Sequence, residues 1–323
     1  MTPRRPLAFL AAFLAAIALV AACNTGSGPL GTVPVASSAP DPSVAQGSPD
    51  VTPAPSDQPT TVPSGSTGDS PSPSAGPAGT TLVRAYFWLG GDPGSAGLVA
   101  VLRTISGTKA VATAAVTAVL AGPTTAETSR SISTAIPAGS QLLGLSIDNG
   151  VATVNLSSEF ESGGGSASVL TRLGQLVYTL TQFPSVKSVQ FQIDGQAKSA
   201  FSSEGVALDK PVGRTDYVQL LPAIWVDRPA FGAAAGNPAH VTGSADVFEA
   251  TFRIAILDGS GKVLADQQAM ASCGTGCRGT FDTSVAYTIG KAQYGTLRVY
   301  EPSAKDGTPQ NVRDYEVWLT PSS

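Results

Sequence analysis

Histidine is nearly missing from this sequence: His240 is the one residue of its kind in 323. A multi-His metal centre is thereby excluded, and any Ser-His-Asp or Cys-His device would have to use that residue. Three Cys are too few for a disulfide-dense scaffold or a four-Cys zinc site. Charged residues make up 13% of the chain, about half the share usual for a soluble domain. With a net charge of −4 there is no basic footprint for nucleic acid. Hydrophobic residues reach 42%, enough for a core, and the length suits two domains.

Residues 1–23 read as an export signal. Arg4 and Arg5 precede an apolar run that ends in Val20-Ala21-Ala22-Cys23. The run is shorter than the roughly 20 residues that span a bilayer, and no basic stop-transfer cluster follows it. The last four residues resemble a bacterial lipobox. In lipoproteins with that motif the Cys becomes the lipidated N-terminus, which assigns Cys23 as the lipidation site. Two acyl chains give stable anchoring. The expected location is the extracytoplasmic face of the cytoplasmic membrane.

Residues 24–80 hold twelve of the 25 prolines, four Asp and no Lys or Arg. Such a segment lacks the apolar surface to offset the entropy of folding, so a disordered linker is expected. It acts as a spacer towards the wall or as a passive linker.

Residues 81–210 form the first folded region. Leu82–Leu89 and Leu98–Ile105 are rich in strand formers. Val111, Ala115 and Val119 share one helical face, and Gly122-Pro123 stops that helix. Asp148-Asn149-Gly150 joins two alternating runs, a strong hairpin signal. After Gly163-Gly164-Gly165, with Ser166 as the expected N-cap, Val169, Leu173, Leu176 and Leu180 mark a second helix, and Val186–Ile193 a last strand. The pattern predicts an α+β domain with helices on one face of a sheet.

Three phrases carry a resemblance: Val119-Leu120-Ala121-Gly122-Pro123, Thr134-Ala135-Ile136-Pro137-Ala138-Gly139, and Gly150-Val151-Ala152-Thr153-Val154-Asn155-Leu156-Ser157. Together with Val177–Pro184 they resemble the sporulation/germination GerM-type domain. The resemblance implies a fold similar to the ring-building motif of secretion and sporulation assemblies. It brings no established catalytic residues.

Residues 222–323 change pattern again. Seven short strands, at Ile224–Val226, His240–Ser244, Phe248–Leu257, Val263–Ala271, Gly279–Val285, Thr296–Tyr300 and Val312–Leu319, alternate with Gly-, Pro- and Asp-rich turns. This predicts an immunoglobulin-like β-sandwich. The phrases Val241–Ala245, Val247–Ala250, Cys273–Cys277 and Tyr300–Ala304 resemble the immunoglobulin-like domain of bacterial spore germination, commonly found after a GerM-type domain. Arg214–Pro222 reads as a connecting stretch.

Cys273 and Cys277 are separated by three residues at an expected hairpin tip, and export would put them in an oxidising compartment. A disulfide is favoured over free thiols or redox cycling, and the small loop predicts a modest stabilisation.

The chemistry is otherwise thin. His240 has no nucleophile motif beside it and reads as an ordinary strand-end residue. Ser106-Gly107-Thr108-Lys109 matches Ser-x-x-Lys, but the companion motifs of penicillin-interacting enzymes are absent. Glu159 and Glu161 read as a solvated loop. The adjacent Tyr86-Phe87-Trp88 could make a carbohydrate platform, although a strand must alternate its faces and send at least one inward. No metal, cofactor or nucleic acid is expected. The chain is therefore expected to be no enzyme, but a binding or scaffold lipoprotein of the envelope whose partner is an envelope protein or the cell wall. The alternatives are a peptidoglycan-modifying hydrolase and a solute-binding lipoprotein. An all-β second half speaks against the latter.

Overall fold

The computed structural model describes residues 79–201 and 205–322. The leader, Cys23 and nearly all of the proposed linker lie outside them.

The chain opens with a long hairpin, β1 (Thr80–Leu89) and β2 (Gly97–Ser106), in continuous antiparallel register from Thr80↔Ser106 to Leu89↔Gly97. Helix α1 (Val111–Leu120) buries Ala115, Val116 and Val119 and ends before Gly122. The short α2 (Thr125–Thr128) follows, closed by a capping box between Thr124 and Glu127. Next come β3 (Ile132–Ser133), β4 (Leu142–Asp148) and β5 (Val151–Leu156). Asn149 and Gly150 take positive φ of 49° and 83°, the backbone that a two-residue hairpin turn of this hand needs.

Helix α3 (Ser166–Leu180) then crosses to β6 (Ser188–Ile193), which pairs in parallel with β5. This is a βαβ unit, so the return strand had to wait for a helix. Gly165, and not the expected Ser166, occupies the N-cap position. The small β7 (Gln196–Ala197), β8 (Ala200–Phe201) and β9 (Val206–Ala207) complete the region.

One sheet was expected here, and two main sheets are found beside the two-stranded β8-β9 ribbon. The orders are β2-β1-β3 and β4-β5-β6-β7. Both α1 and α3 pack on β1, while α1 also reaches β4 and α3 reaches β6, so the helices bridge the two sheets.

The second region has all seven expected strands. They are β10 (Ile224–Arg228), β11 (Ala239–Ala245), β12 (Thr251–Leu257), β13 (Val263–Met270), β14 (Gly279–Val285), β15 (Gln293–Pro302) and β16 (Pro309–Leu319). Their orders, β10-β11-β14 and β13-β12-β15-β16, make a sandwich of two antiparallel sheets. Two details differ from expectation. Phe248–Ala250 forms a single 3-10 turn with positive φ at Glu249 and Ala250, so β12 starts only at Thr251. Cys273 and Cys277 sit on the connection from β13 to β14, which passes between the sheets and is not a hairpin.

Arg214–Pro222 is no loose connector. Arg214–Leu220 coils into 3-10 turns that bury Tyr217 and Leu220 and pack on α3. One continuous buried cluster runs from Val83 through Tyr217, Leu220 and Trp225 to Leu319. Gly97 shows how close the approach is: with φ of 157°, any Cβ there would lie 2.7 Å from the Leu220 carbonyl oxygen.

Candidate functional site

The sites expected from sequence fall in separate places. Cys23 lies outside the described residues. Cys273 and Cys277 are joined in a disulfide with Cα atoms 5.7 Å apart. Its loop rests on the 246–250 turn: Thr275 N–H donates to the Val247 carbonyl at 2.9 Å, and Gly276 N–H donates to Asp246 at 3.0 Å. His240 is exposed, with Nε2 2.6 Å from an oxygen of the exposed Asp282. Ser106, the last residue of β2, and Lys109 beyond it are exposed, far in sequence from His240. Glu159 is exposed, and Glu161 pairs with Lys198 at 2.8 Å.

Tyr86 and Phe87 are both fully buried although they point to opposite faces of β1. A strand covered on both faces explains this. Tyr86 packs against both Tyr178 of α3 and Trp225 of β10, and the Arg103 guanidinium lies over the Phe87 ring, so the three aromatics form no open platform.

The densest polar arrangement lies where the domains meet, and sequence reasoning missed it. Strand β1 supplies Arg84 and Tyr86, α3 supplies Tyr178, the 3-10 segment supplies Arg214, and β10 supplies Trp225, Asp227 and Arg228. Tyr86 donates its hydroxyl hydrogen to Asp227 at 2.5 Å. The other carboxylate oxygen lies 3.9 Å from Arg84 and 4.0 Å from Arg214. Arg214 also lies 4.7 Å above the Tyr178 ring, which meets Trp225 edge-on at 5.5 Å. No sequence motif marks this set, because its members come from four elements up to 144 positions apart (residues 84 to 228).

The electrostatics follow from burial. Burial pushes the Tyr86 hydroxyl pKa up, and the Asp227 carboxylate adds to this. Burial likewise raises Tyr178 to about 12. For Arg84 and Arg214 burial works against the charge, but the facing Tyr86 and Asp227 outweigh it and their pKa values rise. Asp227 thus serves as one anion shared by a tyrosine and two arginines, a fastener between the domains.

A second fastener is Arg313 of β16. Its buried guanidinium donates to the backbone carbonyls of Ser95, of Gly97 at 3.2 Å and of Leu98 at 3.0 Å, all in the first domain. Further along the seam, Phe231 N–H donates to the Ala100 carbonyl at 2.8 Å, and Arg130 pairs with Glu316 at 2.6 Å.

Among the described residues no group of three or more His, Cys, Asp or Glu is placed to hold a metal, and no helix is long and apolar enough to cross a membrane. Strand β4 is the outer strand of its sheet, with Leu143 and Ile147 exposed.

A family model described as sporulation and spore germination matches residues 84–199. A second, described as an immunoglobulin-like domain of bacterial spore germination, matches residues 223–308. Neither description names a catalytic activity. Among curated proteins none matches this chain significantly. Solved structures similar to it include the first GerMN domain of the sporulation protein GerM from Bacillus subtilis, at 20% identity and TM-score 0.36, over 42% of this chain and 98% of that one. The tandem GerMN domains of the same protein match at 14% identity and TM-score 0.36, over 64% of this chain and 61% of that one. Residues 84–199 are thus a GerM-type domain and residues 223–308 an immunoglobulin-like domain of bacterial spore germination, in tandem on one chain.

Proposed function

We propose that this protein is a non-catalytic envelope lipoprotein, anchored through Cys23 on the extracytoplasmic face of the membrane, that binds an envelope protein or the cell wall as a scaffold. The germination-related domain pair supports a role in the envelope of a bacterium. The observation that carries the binding role is the outer strand β4. Nothing among the described residues pairs with its outer edge, it has no Lys, Arg or Pro, and it exposes Leu143 and Ile147. Natural sheets usually blunt such an edge; here one bulge at Leu143 interrupts it, and an incoming strand would satisfy the free backbone groups from Gly144 onward. The shared buried core joins the domain that carries this edge to the second domain, as a scaffold requires.

A photo-activated cross-linker placed at Leu143 in intact cells tests the proposal. The expected result is one specific envelope adduct that is lost in Ile147→Lys, with folding unchanged. Wall fragments released by the folded protein, in a reaction abolished by His240→Ala or Ser106→Ala, would overturn it in favour of a hydrolase.

A further inference from the structure

Beside the Asp227 fastener lies a cavity of about 470 Å³ between the domains. Its walls are apolar: Leu82, Leu102 and Phe183 on one side, Pro229, Ala230 and Ala233 on the other. Arg84 and Arg228 also line it, and His240 stands at its rim. Neither guanidinium is fully satisfied, although Tyr86 and Asp227 stabilise the charge of Arg84. Arg84 has the 3.9 Å contact to Asp227, and its Nε–H is buried without a hydrogen-bond partner. The Arg228 guanidinium makes no hydrogen bond or ion pair among the described residues. Burial and then the charge of Arg84 lower the Arg228 pKa, with Asp227 opposing more weakly. Asp227 cannot relieve this pair fully, because Tyr86 and Arg214 already share it.

Like charges held at an apolar cavity leave a place for an anion. A guanidinium fork suits a carboxylate in two-point geometry, and the walls suit a short aliphatic body. The site is also pre-formed. Gln182 fixes the Arg84 backbone, accepting from its N–H at 2.8 Å and donating to its carbonyl at 2.7 Å. The volume falls within the range usual for small-molecule sites.

We infer that the cavity between Arg84 and Arg228 binds a small aliphatic carboxylate. This inference stands apart from the scaffold role and from the β4 edge. The carboxylate could belong to a free short-chain acid or to the C-terminus of a peptide with small side chains, and the two share the same anchoring chemistry.

The test is calorimetric titration of the full-length protein with hexanoate, N-acetyl-alanyl-alanine and the amide of that dipeptide. Both acids, or one of them, should bind at least about tenfold more tightly than the amide, a difference of about 1.4 kcal/mol. Preference for hexanoate assigns a free acid, and preference for the dipeptide assigns a peptide terminus. Arg228→Gln should weaken acid binding about tenfold, with partial recovery in Arg228→Lys, because the free guanidinium makes the charge-assisted bonds. The inference is overturned if neither acid binds, if acid and amide bind equally, or if inorganic phosphate binds as tightly as either acid. The comparison of acid with amide uses the unaltered protein, so it decides the matter even where a variant folds poorly.

Discussion

Arg313 shows what a single buried side chain does in this chain. It carries its charge into the seam with no carboxylate partner, and three backbone carbonyls of the first domain take its hydrogens. Burial lowers its pKa. Arg313→Met keeps much of the volume but leaves those carbonyls unpaired, so stability should fall by about 2–4 kcal/mol in urea unfolding. An unchanged midpoint would show that the carbonyls find other donors. Tyrosines give a second prediction. Burial raises Tyr86, Tyr178, Tyr217 and Tyr315 above the usual 10, Tyr178 to about 12. In the unfolded chain these hydroxyls lose their protons near pH 10, while in the folded protein they keep them. The unfolded state then binds fewer protons, so stability is complete below pH 10 and is lost as pH rises from 10 towards 12. Thermal midpoints across pH 8–12 should fall above 10, together with a cooperative rise in phenolate absorbance. Gradual phenolate formation without unfolding would contradict this. None of these tyrosines could be identified as a seam residue from its neighbours in sequence. Of the four only Tyr86 lies in β1, where alternation required at least one of three adjacent aromatics to face inward.

Among elements, local signals predicted most of what formed. Alternation and the Asn149-Gly150 turn marked β4 and β5, and helical spacing marked α1 and α3. Local signals failed where a distant contact decides. Arg214–Leu220 looks like a polar connector, yet Tyr217 and Leu220 are buried because α3 offers Gly174, a gap in the helix surface that takes the Leu220 side chain. The β13–β14 connection looked like a hairpin because short separation is what sequence can measure, and sheet membership is not. The disulfide on that connection closes a small loop. Opening it, by reduction or in a Cys273→Ser, Cys277→Ser double variant, should cost no more than about 2 kcal/mol. The hydrogen bonds from Thr275 and Gly276 to the adjacent turn should hold the loop in place. Thermal unfolding with and without reductant measures this, and global unfolding on reduction would contradict it.

For the whole molecule the decisive fact is that two domain families share one interior. The buried cluster is continuous across the seam, and Asp227 and Arg313 of the second domain both fasten it to the first. The described part should therefore unfold in one calorimetric transition, with an enthalpy that matches its van't Hoff value. Asp227→Ala, which leaves Arg84 and Arg214 without their anion, should shift that transition down as a unit; two separate transitions would refute the coupling. Sequence by itself determined the classes of the two domains, the order of their main elements and the pairing of Cys273 with Cys277. Each of these depends on periodicity, turn chemistry or short separation along the chain. Tertiary structure alone decided that the GerM-type strands split into two sheets, that Tyr86 and Phe87 are both enclosed, and that Arg84 and Arg228 meet at one cavity. Those outcomes depend on which faces approach from positions more than a hundred residues apart, and side-chain burial at such contacts leaves no local pattern to read.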